Sequence, residues 1–128
     1  MFTNNGNRNF TAGAEQFLPE VMVLPEDFNG DGAVDLVITN DAEQQLKLRL
    51  NDGSGGFANV TNLTTVPNWA RDGVTMDINS DGKKDIVIPQ HAGNVLTFIP
   101  GKGDGTFQPS QTVIGLPAYQ GIAAGNFD

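Results

Sequence analysis

Short apolar stretches recur along this chain, each bounded by Gly, Asp, Asn or Pro. Asp35 to Thr39 and Asp85 to Ile88 carry continuous apolar runs, the pattern of strands buried on both faces. Leu46-Lys47-Leu48-Arg49-Leu50 alternates strictly and predicts a half-exposed strand, and Val95 to Ile99 is its more apolar counterpart. Val60 to Leu63 and Thr112 to Leu116 predict outer strands, while Val21 to Leu24, Gly73 to Met76 and Gly121 to Ala124 predict inner ones. No stretch combines helical periodicity with capping residues.

The spacing of these strands is periodic. Asp27-Phe-Asn29-Gly-Asp31-Gly-Ala33-Val-Asp35-Leu-Val-Ile38 returns fifty positions later as Asp77-Ile-Asn79-Ser-Asp81-Gly-Lys83-Lys-Asp85-Ile-Val-Ile88. Between these loops a glycine-rich turn also repeats: Asn51-Asp-Gly53-Ser-Gly55-Gly-Phe57 matches Gly101-Lys-Gly103-Asp-Gly105-Thr-Phe107. A weaker copy, Asn4-Asn-Gly6-Asn-Arg-Asn-Phe10, opens the chain. Glycine turns followed by an aromatic residue are hairpin signals, because glycine supplies positive φ and the aromatic anchors the next strand.

Four strands per unit of about fifty residues is the signature of a β-propeller blade. The expected fold is therefore all-β, with blades of four antiparallel strands: two full blades plus partial blades at both ends. Residues 1–18 would end a preceding blade. Residues 19–66 would form a blade with loop 27–35, and residues 67–116 a blade with loop 77–85. Residues 117–128 would begin a following blade, since Gly125-Asn126-Phe127-Asp128 echoes the opening of the loop at Asp27. Two blades do not close a ring, so the chain is expected to be a piece of a larger protein or a protomer that assembles.

Composition narrows the partners. With 16 glycines and 7 prolines in 128 residues the chain is turn-rich, yet its Val, Ile, Leu and Phe argue against disorder. A net charge of −8 makes nucleic acid or an anionic membrane an unsuitable partner and favours a multivalent cation. The absence of cysteine excludes disulfides and zinc-thiolate sites. No run reaches transmembrane length, and the first residues lack the basic start and apolar stretch of a signal peptide.

The aspartate loops have calcium chemistry. Calcium takes six to eight oxygens in tolerant geometry. Alternate positions turn side chains toward a common centre, and position seven offers its backbone carbonyl. The expected ligands are Asp27, Asn29, Asp31, Ala33 (carbonyl) and Asp35 in one site, and Asp77, Asn79, Asp81, Lys83 (carbonyl) and Asp85 in the other. Gly32 and Gly82 permit the sharp turn. The twelfth positions hold Ile38 and Ile88 rather than a bidentate glutamate, and strands flank the loops, which disfavours an EF-hand. The bland alternative is a solvated Asp/Asn/Gly turn; recurrence in register, and the mutual repulsion of uncompensated carboxylates, weigh against it. Such ions would be structural, with affinity near the ~10⁻⁴–10⁻³ M range of extracellular modules.

On these two linked motifs the chain resembles FG-GAP/VCBS repeats, the blades of integrin-α-like β-propellers. Asp27 to Ile38 and Asp77 to Ile88 match the family's aspartate loop and following strand, Gly101 to Phe107 matches its Gly-x-Gly-Asp-Gly-x-Phe turn closely, and Asn51 to Phe57 matches more loosely. Pro25 and Glu26 depart from the small, apolar approach to the first loop, and Asn126 replaces the first aspartate of a third. The resemblance implies structural Ca2+ at two sites, an extracellular or cell-surface location, and seven blades in a full ring.

No nucleophilic constellation is visible, and the lone His91 sits in a turn sequence, so the segment is expected to be non-enzymatic. The expected function is a binding or assembly module for protein or carbohydrate ligands. A propeller lectin is one alternative, because Trp69 and Tyr119 occupy near-equivalent places and could stack on a sugar, with Arg71 and Gln120 nearby as hydrogen-bonding groups. A non-catalytic fragment of a larger secreted enzyme is the other. Expected partners are the remaining blades of a parent propeller or further copies of the chain, since isolated blades leave edges open.

Overall fold

The computed structural model describes residues 2–4, 10–12, 20–40, 44–65, 70, 72–90, 94–114 and 122–125. They form ten strands and, among the described residues, no helix. A short hairpin pairs β1 (Phe2–Asn4) with β2 (Phe10–Ala12). Two four-stranded sheets follow. The first contains β3 (Glu20–Glu26), β4 (Asp35–Asn40), β5 (Gln45–Leu50) and β6 (Asn59–Thr65). The second contains β7 (Val74–Met76), β8 (Asp85–Gln90), β9 (Val95–Ile99) and β10 (Gln111–Ile114). Every strand lies beside its neighbour in sequence and runs antiparallel to it, so both sheets are simple meanders of the propeller-blade kind.

Burial follows the apolar pattern. Residues 37–39 of β4 are buried, as is nearly all of β8, so the continuous runs are the strands covered on both faces. On β5, Leu46 and Leu48 are buried while Lys47 and Arg49 are only partly so, which is the alternation of a half-exposed strand. The fourth strand of the first sheet, β6, is largely exposed. One apolar cluster joins the sheets: Val37, Leu46 and Leu48 from the first, Ile86, Ile88 and Ile99 from the second, with Met22, Phe28 and Ala70. Burying such aliphatic side chains contributes about 1.5–3 kcal/mol each.

One expected strand does not form. Of the inner strand expected at Gly121 to Ala124, the described residues 122–124 make no ladder; no strand follows β10 among the described residues to pair with them. The segment is instead tied by the Ile122 N–H, which donates to Asp72 Oδ2 at 3.1 Å. No helix among the described residues is long and apolar enough to cross a membrane.

Candidate functional site

In each meander the aspartate loop joins the first strand to the second, and the glycine turn joins the third to the fourth. An antiparallel meander therefore puts loop and turn at the same end of the sheet. Loop 27–34 and turn 51–58 share one end of the first sheet, and loop 77–84 and turn 100–110 share one end of the second.

The first loop is wound around its own side chains. Asp27 accepts the Gly30 N–H at Oδ1 (2.7 Å) and the Gly32 N–H at Oδ2 (2.9 Å). Asn29 Oδ1 accepts the Asp31 N–H at 3.0 Å, and Asp31 Oδ1 accepts the Ala33 N–H at 2.7 Å. The second loop repeats this skeleton. Asp77 accepts from Asp81 N–H (3.0 Å) and Gly82 N–H (2.8 Å), Asn79 from Asp81 N–H (3.0 Å), and Asp81 from Lys83 N–H (3.0 Å). Gly32 and Gly82 stand at φ 84° and 81°, a left-handed conformation that side-chain-bearing residues adopt only under strain.

Asp35 and Asp85 behave differently from the other loop carboxylates. Both are fully buried, and both use each oxygen for a backbone donor. Asp35 accepts Phe28 N–H at 3.0 Å and Asn51 N–H at 2.9 Å. Asp85 accepts Ile78 N–H at 3.0 Å and Gly101 N–H at 2.8 Å. Each carboxylate thus clips the aspartate loop to the glycine turn across the end of its sheet. The sequence signal for this clip was available: the ninth loop position is Asp in both units, and its turn partner lies sixteen residues on in both.

Loop donor chemistry suits a hard cation. Each carboxylate oxygen has about two lone-pair sites, so one backbone hydrogen bond leaves capacity for a metal. Among the described residues no three acidic or histidine side chains converge as a ready-made cluster, and Asn29 Nδ2 instead donates to Asp31 Oδ2 at 2.8 Å, as Asn79 does to Asp81 at 3.2 Å. A cation would replace those side-chain contacts, not the backbone skeleton. Of the other expected ligand residues, Trp69, Arg71, Tyr119 and Gln120 lie outside the described residues, as does His91.

The junction between the sheets brings the two repeated motifs together, the loop of one unit against the turn of the next. Gly105 N–H, in the second sheet's turn, donates to the Phe28 carbonyl in the first sheet's loop at 3.0 Å. The Phe28 and Phe107 rings stand 5.6 Å apart and tilted by 60°, a favourable aromatic geometry. A Cβ on Gly105 would press on Asn29 and Leu50 at 3.3 Å, so glycine is what lets the turn approach. Glu26, a departure from the family pattern, is a second tie: it meets Lys84 Nζ at 3.1 Å and accepts from Thr75 Oγ1 at 3.4 Å.

Residues 27–88 match the family description FG-GAP-like repeat. The matched stretch runs from the first aspartate loop to the strand behind the second, so the similarity crosses from one sheet into the next. No curated protein and no solved structure matches the chain significantly.

Loop hydrogen bonds also set the acid behaviour. The Gly32 N–H is the largest of several backbone donors holding Asp27 below the ordinary carboxylate value. The Ser54 and Thr106 hydroxyls, helped by backbone N–H groups, do the same for Asp52 and Asp104. A carboxylate depressed on folding contributes stability above its ordinary value of 3.8, and that contribution is lost as pH falls through the folded value. The urea midpoint should accordingly fall as pH drops below 3.8. Combining Asp52→Asn with Asp104→Asn should make that acid limb shallower; an identical slope would show that these two turns do not contribute.

Proposed function

We propose that this chain is a calcium-stabilised segment of a β-propeller-type array, acting outside the cell or at its surface as a non-enzymatic binding and assembly module. The observation that carries this reading is the duplicated loop skeleton. In both units the oxygen-bearing side chains at positions one, three and five are held on one short loop by the loop's own N–H groups. Such pre-ordering lowers the entropy lost on binding a cation. Asp27, Asn29, Asp31, the Ala33 carbonyl and Asp35 would hold one ion, and Asp77, Asn79, Asp81, the Lys83 carbonyl and Asp85 the other. When bound, calcium supplies positive charge that offsets repulsion among the loop carboxylates.

Melting with and without calcium tests this. For sites of ~10⁻⁴–10⁻³ M affinity, about 10 mM calcium stabilises by roughly 1.4–2.7 kcal/mol per site. The melting temperature should rise by several degrees over that in excess chelator. Magnesium at equal concentration should do less, because it demands a tighter octahedron. Coincident curves in calcium and chelator would contradict the proposal.

A further inference from the structure

The junction between the sheets is asymmetric, since the first sheet contributes its aspartate loop and the second its glycine turn. The chain therefore also carries the complementary half of each: the loop at 77–85 and the turn at 51–57. Both halves are open. Phe28 is 3% exposed under the neighbouring turn, whereas Ile78, fifty positions on, is 41% exposed. Gly105 is buried, whereas Gly55, fifty positions before it, is exposed. The Gly105 N–H crosses to the Phe28 carbonyl; the Gly55 N–H turns back to its own neighbour's side chain, Asn51 Oδ1, at 3.1 Å.

We infer that a second copy of this chain docks head to tail here, loop 77–85 of one copy on turn 51–57 of the other. The internal junction is the template. The Ile78 carbonyl would accept the Gly55 N–H in place of Asn51, and the Ile78 side chain would cover Phe57 as Phe28 covers Phe107. Val60, next to this turn and 46% exposed, extends the apolar surface that docking would cover. The contact is heterologous, so copies form a ring if the rotation closes and a longer string if it does not. This inference rests on the assembly part of the proposed function and is independent of its calcium part.

The test is sedimentation of the full chain over a concentration series. The wild type should self-associate, and Ile78→Asp and Phe57→Asp should each weaken association at least tenfold. Each variant keeps one intact half, so an equimolar mixture should form dimers and nothing larger. Should Phe57→Asp melt early, Ala58→Arg at the exposed neighbouring position serves the same arm. A strictly monomeric wild type, variants that associate as the wild type does, or a mixture without dimers would overturn the inference. Association that survives Phe57→Asp but is lost with Phe10→Asp would overturn it in favour of the β1–β2 hairpin as the docked element. Failure of the calcium reading would look different: melting indifferent to chelator, with association intact.

Discussion

Asp85→Ala should lower the unfolding free energy by roughly 3–5 kcal/mol, read from urea midpoints in excess chelator so that no metal contributes. The magnitude follows from two hydrogen bonds to one carboxylate, each worth about 1.5–3 kcal/mol when the partner is charged. Alanine would leave the Ile78 and Gly101 N–H groups without their acceptor at a fully buried position. Asp85→Asn separates charge from shape: the amide oxygen can serve one donor, while its NH2 confronts the other, so much of the loss should remain. Asp35→Ala should behave likewise, because Asp35 clips Phe28 and Asn51 in the same way. Asp81, which is exposed, sets the contrast, and Asp81→Ala should stay within about 1 kcal/mol. Equal small losses at Asp81 and Asp85 would mean that Asp85 does not clip loop to turn.

Phe28→Ala should cost a similar amount, about 3–5 kcal/mol, the usual range for deleting a buried aromatic ring. Phe28 lies in the apolar cluster shared by both sheets and faces Phe107. A double-mutant cycle with Phe107→Ala should return a coupling of about 0.5–1.5 kcal/mol, the contribution of a tilted aromatic pair beyond its buried area. Ile78→Ala, at the equivalent place in the second loop, should cost less than about 1 kcal/mol in dilute solution, because Ile78 is exposed there. The same motif position is thus expected to be core in one unit and surface in the next. Comparable losses at Phe28 and Ile78 would mean that the inter-sheet junction does not bury the ring as described.

The strands were legible because their patterns report burial directly. The continuous apolar run at Asp35 to Thr39 and the alternation at Leu46 to Leu50 each became the strand type they imply. The run expected at Gly121 to Ala124 did not over its described residues, since an apolar sequence makes a strand only with a ladder partner beside it. The positions of the aspartate loops were legible too, from oxygen donors at alternate residues. What the pattern could not separate was the two kinds of aspartate. Asp27 and Asp35 are the same residue type in one loop, yet Asp27 is pinned by its own loop while Asp35 is buried between loop and turn. That difference depends on two segments meeting at one end of a sheet. Glu26 departs from the apolar approach to its loop, and the partners that explain it, Thr75 and Lys84, belong to the next unit, out of reach of a reading of its own strand.

We propose one calcium ion on each aspartate loop. Titrating calcium into the full chain by calorimetry counts those sites. Two ions per chain are expected, one after Asp27→Ala or Asp77→Ala alone, and none after both. An absence of binding at millimolar calcium, or a stoichiometry that neither substitution changes, would contradict it.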